Sequence, residues 1–422
     1  MRVSRRRFVA GSAVSLPAMA FALQSGQAFA ADKTTLNFPY LWTGPEGDAM
    51  QKIVDDFNAS QDEIEVKGVA NPDVQRQIAM MAAKKGFDIS DSWDTYVGGW
   101  AGAGAIMPLD DLIAGASYDT SDFVPEILNM MKFDDQIYAM PVAVHTVMLM
   151  YNKDLLSEAG VEPPQTIEEL KDAIDKLTKV GDDGKITQLG LNAPDFVSFS
   201  YSFGGQWIDE NLQPTANAEG NVEALSFWVD NVLKKYGVDE IKRFQSGFGE
   251  YASPQNPFYT GKVAMVMDGE WQAMFIQQYA EELNWGVTYV PVPEAKPELE
   301  QTAALSASMF FIPANTSNAE ASWTFMDYLV SPDPMRDFTL ALANLPARTS
   351  LLDDDAYAEI PGMNYWLESL KSPNLKFMPQ TAWRQEYATE ITSTVEQITN
   401  LKQEPKEALD ALQEKALKIA AK

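Results

Sequence analysis

Cysteine is absent from all 422 residues, and histidine occurs once, as His145. Disulfides, thiolate metal sites and Cys nucleophiles are therefore excluded, and a histidine-rich metal centre is excluded with them. Past the opening thirty residues no stretch reaches the roughly 18 consecutive apolar residues of a membrane span. Repeats and low-complexity tracts are missing too. No HExxH, GxSxG or CxxC occurs, and Gly261-Lys262-Val263 lacks both the Ser/Thr and the upstream glycine of a phosphate loop. Asp182-Asp183-Gly184 has the wrong spacing for a calcium loop and reads as a turn. No cofactor and no metal are expected.

Basic residues are scarce: 32 Lys and Arg face 60 Asp and Glu, a net charge of -28. Four of the basic residues, Arg2, Arg5, Arg6 and Arg7, fall in the first thirty positions, which hold no acid. Such a field disfavours nucleic acid and anionic membrane surfaces as partners, and solubility is its plainest use. The opening itself reads as an export signal, residues 1–30. Ser4-Arg5-Arg6-Arg7-Phe8-Val9 has twin-arginine form, an apolar stretch runs from Val9 to Leu23, and Ala28-Phe29-Ala30 supplies small residues for cleavage near Ala30. Gly11, Ser12, Ser15 and Pro17 break the apolar stretch, which argues against an uncleaved anchor. With no cysteine to carry lipid, the expected product diffuses freely in the periplasm of a two-membrane bacterium.

Hydrophobic residues make up 46% of the chain, enough for large cores, and the length suggests two lobes. Thr35 to Phe38 alternates like a strand, and Met50, Ile53, Val54 and Phe57 then form a helical stripe. Glu63 to Val66 alternates again, so the chain opens β-α-β, the start of a parallel sheet covered by helices. Further helical stripes are Val222, Leu225, Val229 and Val232, then Ala319, Trp323, Met326 and Leu329, and finally Leu409, Leu412, Ala416 and Ile419 after Pro405. Residues 263–267 are continuously apolar, as in a strand buried on both faces. Pro-rich loops are expected at 161–165 and 291–297.

One stretch is especially telling. Tyr151-Asn152-Lys153-Asp154-Leu155-Leu156 leads through Ala159-Gly160-Val161 to Pro163-Pro164-Gln165-Thr166 and Glu168-Glu169-Leu170. It reads as a strand exit, a short helix, a glycine stop, a Pro-Pro bend and a Thr-capped helix. This spelling resembles bacterial extracellular solute-binding proteins of the sugar-binding, maltose-binding-like class, the receptors of ABC importers. Other segments are similar to the same family in the same order: residues 87–93, with Phe87 where the family usually has proline, then 103–111, 258–265 and Asp268-Gly269-Glu270-Trp271. Pro291-Val292-Pro293, residues 321–326 and Leu345-Pro346-Ala347-Arg348 complete the set.

The resemblance implies a periplasmic-binding-protein-like α/β fold, two α/β lobes joined by crossing hinge strands, with ligand held between them. The N-terminal lobe would be 32–143 plus 303–346 and the C-terminal lobe 144–302 plus 347–422. Crossings are expected near 142–147, 302–308 and 344–349. It implies a monomeric carbohydrate receptor, not an enzyme, that delivers its ligand to ABC membrane permease subunits.

Sugars offer apolar C–H faces and hydroxyl rims, so their sites combine aromatic plates with fixed donors and acceptors. All 10 Trp lie after the signal. Trp228 and Trp323 sit on helical stripes and read as core. Trp271 follows Gly269 and Glu270 at the end of a buried strand, where α/β ligand loops lie, and is the expected main plate. Trp93 and Asp94 also end a strand. Trp383 lies where the family often supplies a further plate, and the adjacent Arg384 offers a planar fork for hydroxyls or an anion, or else a surface ion pair. His145 occupies a crossover position resembling a sugar contact, although a lone histidine is as readily a packing residue. Gly205 and Trp207, and Trp42 and Thr43, are loop segments that suit a cleft or a plain turn. A polyamine receptor, with acids such as Asp94 and Glu270 beside aromatics, and an anionic-sugar receptor stay open. A glycosidase would need two acids about 5–10 Å apart, which a sequence this acidic cannot single out.

Overall fold

The computed structural model describes residues 33–71, 73–83 and 86–422. The proposed export signal lies outside them. Among the described residues no helix is long and apolar enough to cross a membrane, and no cluster of three metal-binding side chains occurs.

The chain opens β-α-β: strand β1 (Thr34–Tyr40), helix Gly44–Ser60 and strand β2 (Ile64–Ala70), with β1 and β2 parallel in a two-stranded sheet. Met50, Ile53, Val54 and Phe57, spaced to share one helical face, are all buried. β3 (Ser90–Trp93) follows, and a small hairpin of β4 (Lys132–Phe133) and β5 (Gln136–Ile137) leads into β6 (Ala139–Asn152), fourteen residues long.

The telling stretch folds as it reads. β6 ends at Asn152, whose side chain caps the next helix, Lys153–Ala159, through Leu155 N–H. Gly160 closes that helix with φ +62, the left-handed conformation glycine adopts without strain. Helix Ile167–Leu177 then starts on a reciprocal capping box between Thr166 and Glu169. β7 (Lys179–Val180), β8 (Ile186–Leu191), β9 (Val263–Gly269) and β10 (Trp285–Thr288) come next in chain order. β11 (Ala303–Phe311), β12 (Leu345–Pro346) and β13 (Leu375–Lys376) complete the strands.

The main sheet has nine strands in the order β13-β11-β6-β9-β8-β7, with β10 and β12 on β6 and β3 on β11. It is mixed, which departs from the parallel sheet that the opening suggests. β6 runs antiparallel to β11, β9, β10 and β12, while β8–β9 and β11–β13 are parallel. The reason is connectivity: strands passing between lobes return in the opposite sense. β6 changes partner along its length, pairing with β11 over residues 139–146 and with β9 over 147–151. β12 lies on β6 at Val144 and Ala143. These are two α/β lobes joined by crossing strands.

Two apolar cores flank the crossings. One is built around Phe38, Phe57, Phe310, Phe325 and Phe338, and also draws in Ala273, Ile276, Tyr357 and Trp366. The other gathers Leu170, Leu189, Phe199, Trp228, Tyr387 and Leu409.

Candidate functional site

The junction of the lobes carries an aromatic plate set in a rigid frame. Trp271 stands directly after β9, and its indole folds back over Gly269. A Cβ on Gly269 would lie 2.0 Å from the indole ring, so this position must lack a side chain. The indole Nε1–H donates to Tyr251 Oη at 2.7 Å. Tyr251 Oη also accepts from Gln272 Nε2 at 2.6 Å and donates to the Asp268 carboxylate at 2.9 Å. Burial pushes the Asp268 carboxyl up to about 6, against the opposing pull of bonds from Gly269 N–H, Tyr251 and Gln272. A cavity of about 220 Å³ opens beside this cluster, lined by Asn192, Phe248, Pro257 and Met267 among others.

His145 stands edge-on to the plate, with ring centroids 5.4 Å apart. Its Nδ1 lies 2.7 Å from Glu270 Oε1 and its Nε2 3.1 Å from Ser308 Oγ. Glu270 is fully buried. Its carboxylate further accepts from Thr146 N–H at 3.2 Å and Asn344 Nδ2 at 3.3 Å. Across the sheet Ser308 is the register partner of Trp93, which is 45% exposed. Trp93 begins an aromatic row, 6.4 Å from Tyr96, which stacks on Trp100 at 4.7 Å. Trp93, register partner of Ser308, and Trp271, edge-on to His145, therefore adjoin the two ends of the His145–Ser308 pair.

A second inter-lobe link lies alongside. Asp94 is buried, its Oδ1 accepting from Ala307 N–H at 3.1 Å and its Oδ2 from Arg384 Nη2 at 2.9 Å. Gln380 adds bonds to the carbonyls of Asp94 and Met130, and accepts from Gly98 N–H. Arg384 is thus a buried ion-pair partner rather than the surface pair that the sequence allows. Its Nη1 is buried without a partner among the described residues, as are Tyr387 Oη and Thr381 Oγ1. Trp383 is half-buried, 5.7 Å from Tyr387.

The remaining expected site residues divide. Trp42 is half-buried but packs edge-on against Phe338 at 4.7 Å and Phe310 at 6.0 Å, while Thr43 is exposed at the start of helix Gly44–Ser60. Trp207 and Gly205 belong to packing. Trp207 is 1% exposed, its Nε1–H donating to Ser200 Oγ at 2.9 Å, and a Cβ on Gly205 would come 2.3 Å from Asn221 Oδ1. Their Gly-Gly-Gln-Trp spelling marks a tight turn inside the second core, not a cleft loop. Glu270, expected at the ligand surface, is enclosed by protein donors.

Five residues escaped the sequence reading: Glu46, Tyr251, Gln272, Ser308 and Asn344. Glu46, in the first turn of its helix, is half-buried, and burial raises its carboxyl while His145 draws it down. Only Ser308, in the alternating Ser306-Ala307-Ser308 of a strand, carried a usable signal. Tyr251 meets Trp271 from an irregular loop twenty positions upstream.

Comparison with known proteins agrees with this architecture. A maltotriose-binding protein of Pyrococcus abyssi is 22% identical over 309 residues, which cover 72% of this chain and 64% of the relative. The chain therefore spans somewhat under two thirds of that relative's length. The sn-glycerol-3-phosphate-binding periplasmic protein UgpB of Pectobacterium atrosepticum is 24% identical, covering 94% of this chain and 93% of the relative. Among solved structures, CpMnBP1 with mannobiose bound superposes with a TM-score of 0.77 at 25% identity, covering 91% of this chain and all of that one. The family model for bacterial extracellular solute-binding proteins matches residues 42–336, most of the chain, and the protein belongs to that family.

Proposed function

We propose that the protein is a periplasmic receptor that captures a carbohydrate, from a monosaccharide to an oligosaccharide or glycoside, between its lobes. It hands the ligand to the membrane subunits of an ABC importer and catalyses nothing itself. The observation that carries this reading is the preformed plate. Trp271 is held by Gly269 beneath it, Tyr251 on its Nε1 and His145 at its edge, and the half-exposed Trp93 pairs with Ser308, the bonding partner of His145. A fixed plate loses little freedom on meeting an apolar sugar face, while the Ser308 hydroxyl, which keeps a lone pair beyond its bond to His145, and the Thr43 hydroxyl offer polar groups to a sugar. The sugar-binding relatives support the same ligand class.

A neutral ligand is favoured over an anionic one. The guanidinium expected at the site, Arg384, is already paired with the buried Asp94. Polyamine binding and glycoside hydrolysis both draw on more than one available carboxylate, and Asp94, Asp268 and Glu270 are each engaged by protein donors, leaving Glu46 alone beside His145. A thermal-shift screen of the mature protein against mannobiose, maltotriose, mannitol, sn-glycerol 3-phosphate and spermidine tests the reading. A ligand bound only to the folded state adds about 2.7 kcal/mol at a hundredfold excess over its dissociation constant. A rise with a neutral sugar or polyol supports the proposal. A rise confined to the phosphate or the amine overturns it.

A further inference from the structure

Glu270 has no exposed surface with which to meet a ligand, yet its carboxylate holds three hydrogen-bond partners. A buried carboxylate is tolerated only where its lone pairs are satisfied. Here the three donors come from two separate parts of the hinge: the His145 imidazole and the Thr146 N–H from the first crossing, and the Asn344 amide from the third, one residue before β12. His145 extends the link to Ser308 on β11, the second crossing. A carboxylate only accepts, so Glu270 orients the His145 ring with Nδ1–H toward itself and Nε2 toward the Ser308 hydroxyl. That orientation sets the ring edge against Trp271, the residue bonded to Glu270 along the chain.

We infer that Glu270 is a positioning residue: it ties the Trp271 plate to all three crossings, so that plate and hinge move together. Any change in the crossing torsions must break these bonds or carry the plate along. A ligand stacked on Trp271 thereby acts on the hinge directly, and the hinge sets where the plate stands before ligand arrives. This role rests on the proposed binding site for its purpose. The bonding pattern, however, predicts hinge behaviour with no ligand present.

The absence of cysteine makes the test clean. Cysteines introduced at the exposed Asp62 and Glu210, one in each lobe, carry spin labels, and pulsed electron resonance reads the lobe-to-lobe distance distribution in the ligand-free protein. Glu270→Gln keeps the shape but turns an amide NH₂ toward Thr146 N–H or His145. It is expected to widen or displace the distribution, and Asn344→Ala is expected to shift it in the same direction. Trp271→Ala, which leaves the clasp intact, is expected to leave the distribution unchanged. With mannobiose as probe, Glu270→Gln is expected to weaken binding at least tenfold. Distributions of Glu270→Gln and Asn344→Ala that superpose on the native one overturn the inference, whatever their melting temperatures. If the native protein ignores mannobiose, that ligand choice fails while the distance measurement still decides the clasp.

Discussion

At the scale of single residues, the site is held by what Gly269 lacks. A methyl group there would sit 2.0 Å from the Trp271 ring, and the backbone beneath cannot yield to it. The indole must swing away, abandoning Tyr251 Oη and the His145 edge. Gly269→Ala is therefore expected to weaken sugar binding by about 2 kcal/mol or more, the effect of losing a central aromatic anchor, while circular dichroism stays native. Titration calorimetry measures it, and unchanged affinity would show that the plate is not the anchor.

Asp91 makes a different residue-scale prediction. Buried on β3 with Leu41 N–H as its donor, its carboxyl is pushed up to about 8 by burial. Between its ordinary 3.8 and that value the folded protein keeps a proton that the unfolded chain releases. This group's stabilising contribution is complete below the unfolded value and declines as pH rises, by up to about 1.4 kcal/mol per pH unit, until it is gone above about 8. Asp91→Asn carries no such proton. The stability difference between native protein and variant, from urea midpoints at pH 5, 7 and 9, should move steadily in favour of the variant. Parallel curves would refute the shift. Asp91 falls within the family-like segment 87–93 without standing out there, because nothing in one sequence tells a buried acid from a solvated one. Trp271 stands out in the sequence mostly through the family-like Asp268-Gly269-Glu270-Trp271 segment that follows an apolar strand.

At the scale of elements, helices were the easiest to read, since a stripe of four apolar residues at helical spacing names both the element and its buried face. Pairing was not legible. The partner exchange of β6 at Thr146 and Val147 depends on strands more than a hundred residues away, and local alternation says nothing about them. Equally hidden was the docking of the segment around Gln380 and Thr381 on helix Val97–Gly102. There Gly98 lets the chains meet: a Cβ would lie 2.5 Å from Thr381 O and 2.8 Å from Thr381 N. Gly98→Ala must push the two segments apart, straining Gln380 and the Asp94–Arg384 pair. A loss of about 1–3 kcal/mol is expected, the usual cost of forcing an extra methyl group into a packed interior. Urea denaturation checks it, and a neutral substitution would show the contact to be loose.

At the scale of the whole molecule, the two cores share an apolar contact at Val266, and the described polar links between them at the site are the Glu270 clasp and the buried Asp94–Arg384 pair. Polar links of fixed geometry suit a hinge, because they can be remade at another angle without opening an apolar interior. Binding between lobes should then appear as closure. A compact chain of this length has a radius of gyration of about 22 Å. Small-angle scattering of the ligand-free protein is expected to lie above the value found at saturating ligand, with the difference abolished in Trp271→Ala. The strongly acidic surface gives a control. Self-repulsion between acidic lobes would also expand the molecule, but it fades as salt shortens the screening length from about 10 Å at 0.1 M to about 3 Å at 1 M. Compaction that needs ligand and persists at 1 M salt belongs to the hinge. Compaction produced by salt alone, with none on adding a tightly bound sugar, would assign the expansion to charge and leave the lobes rigid.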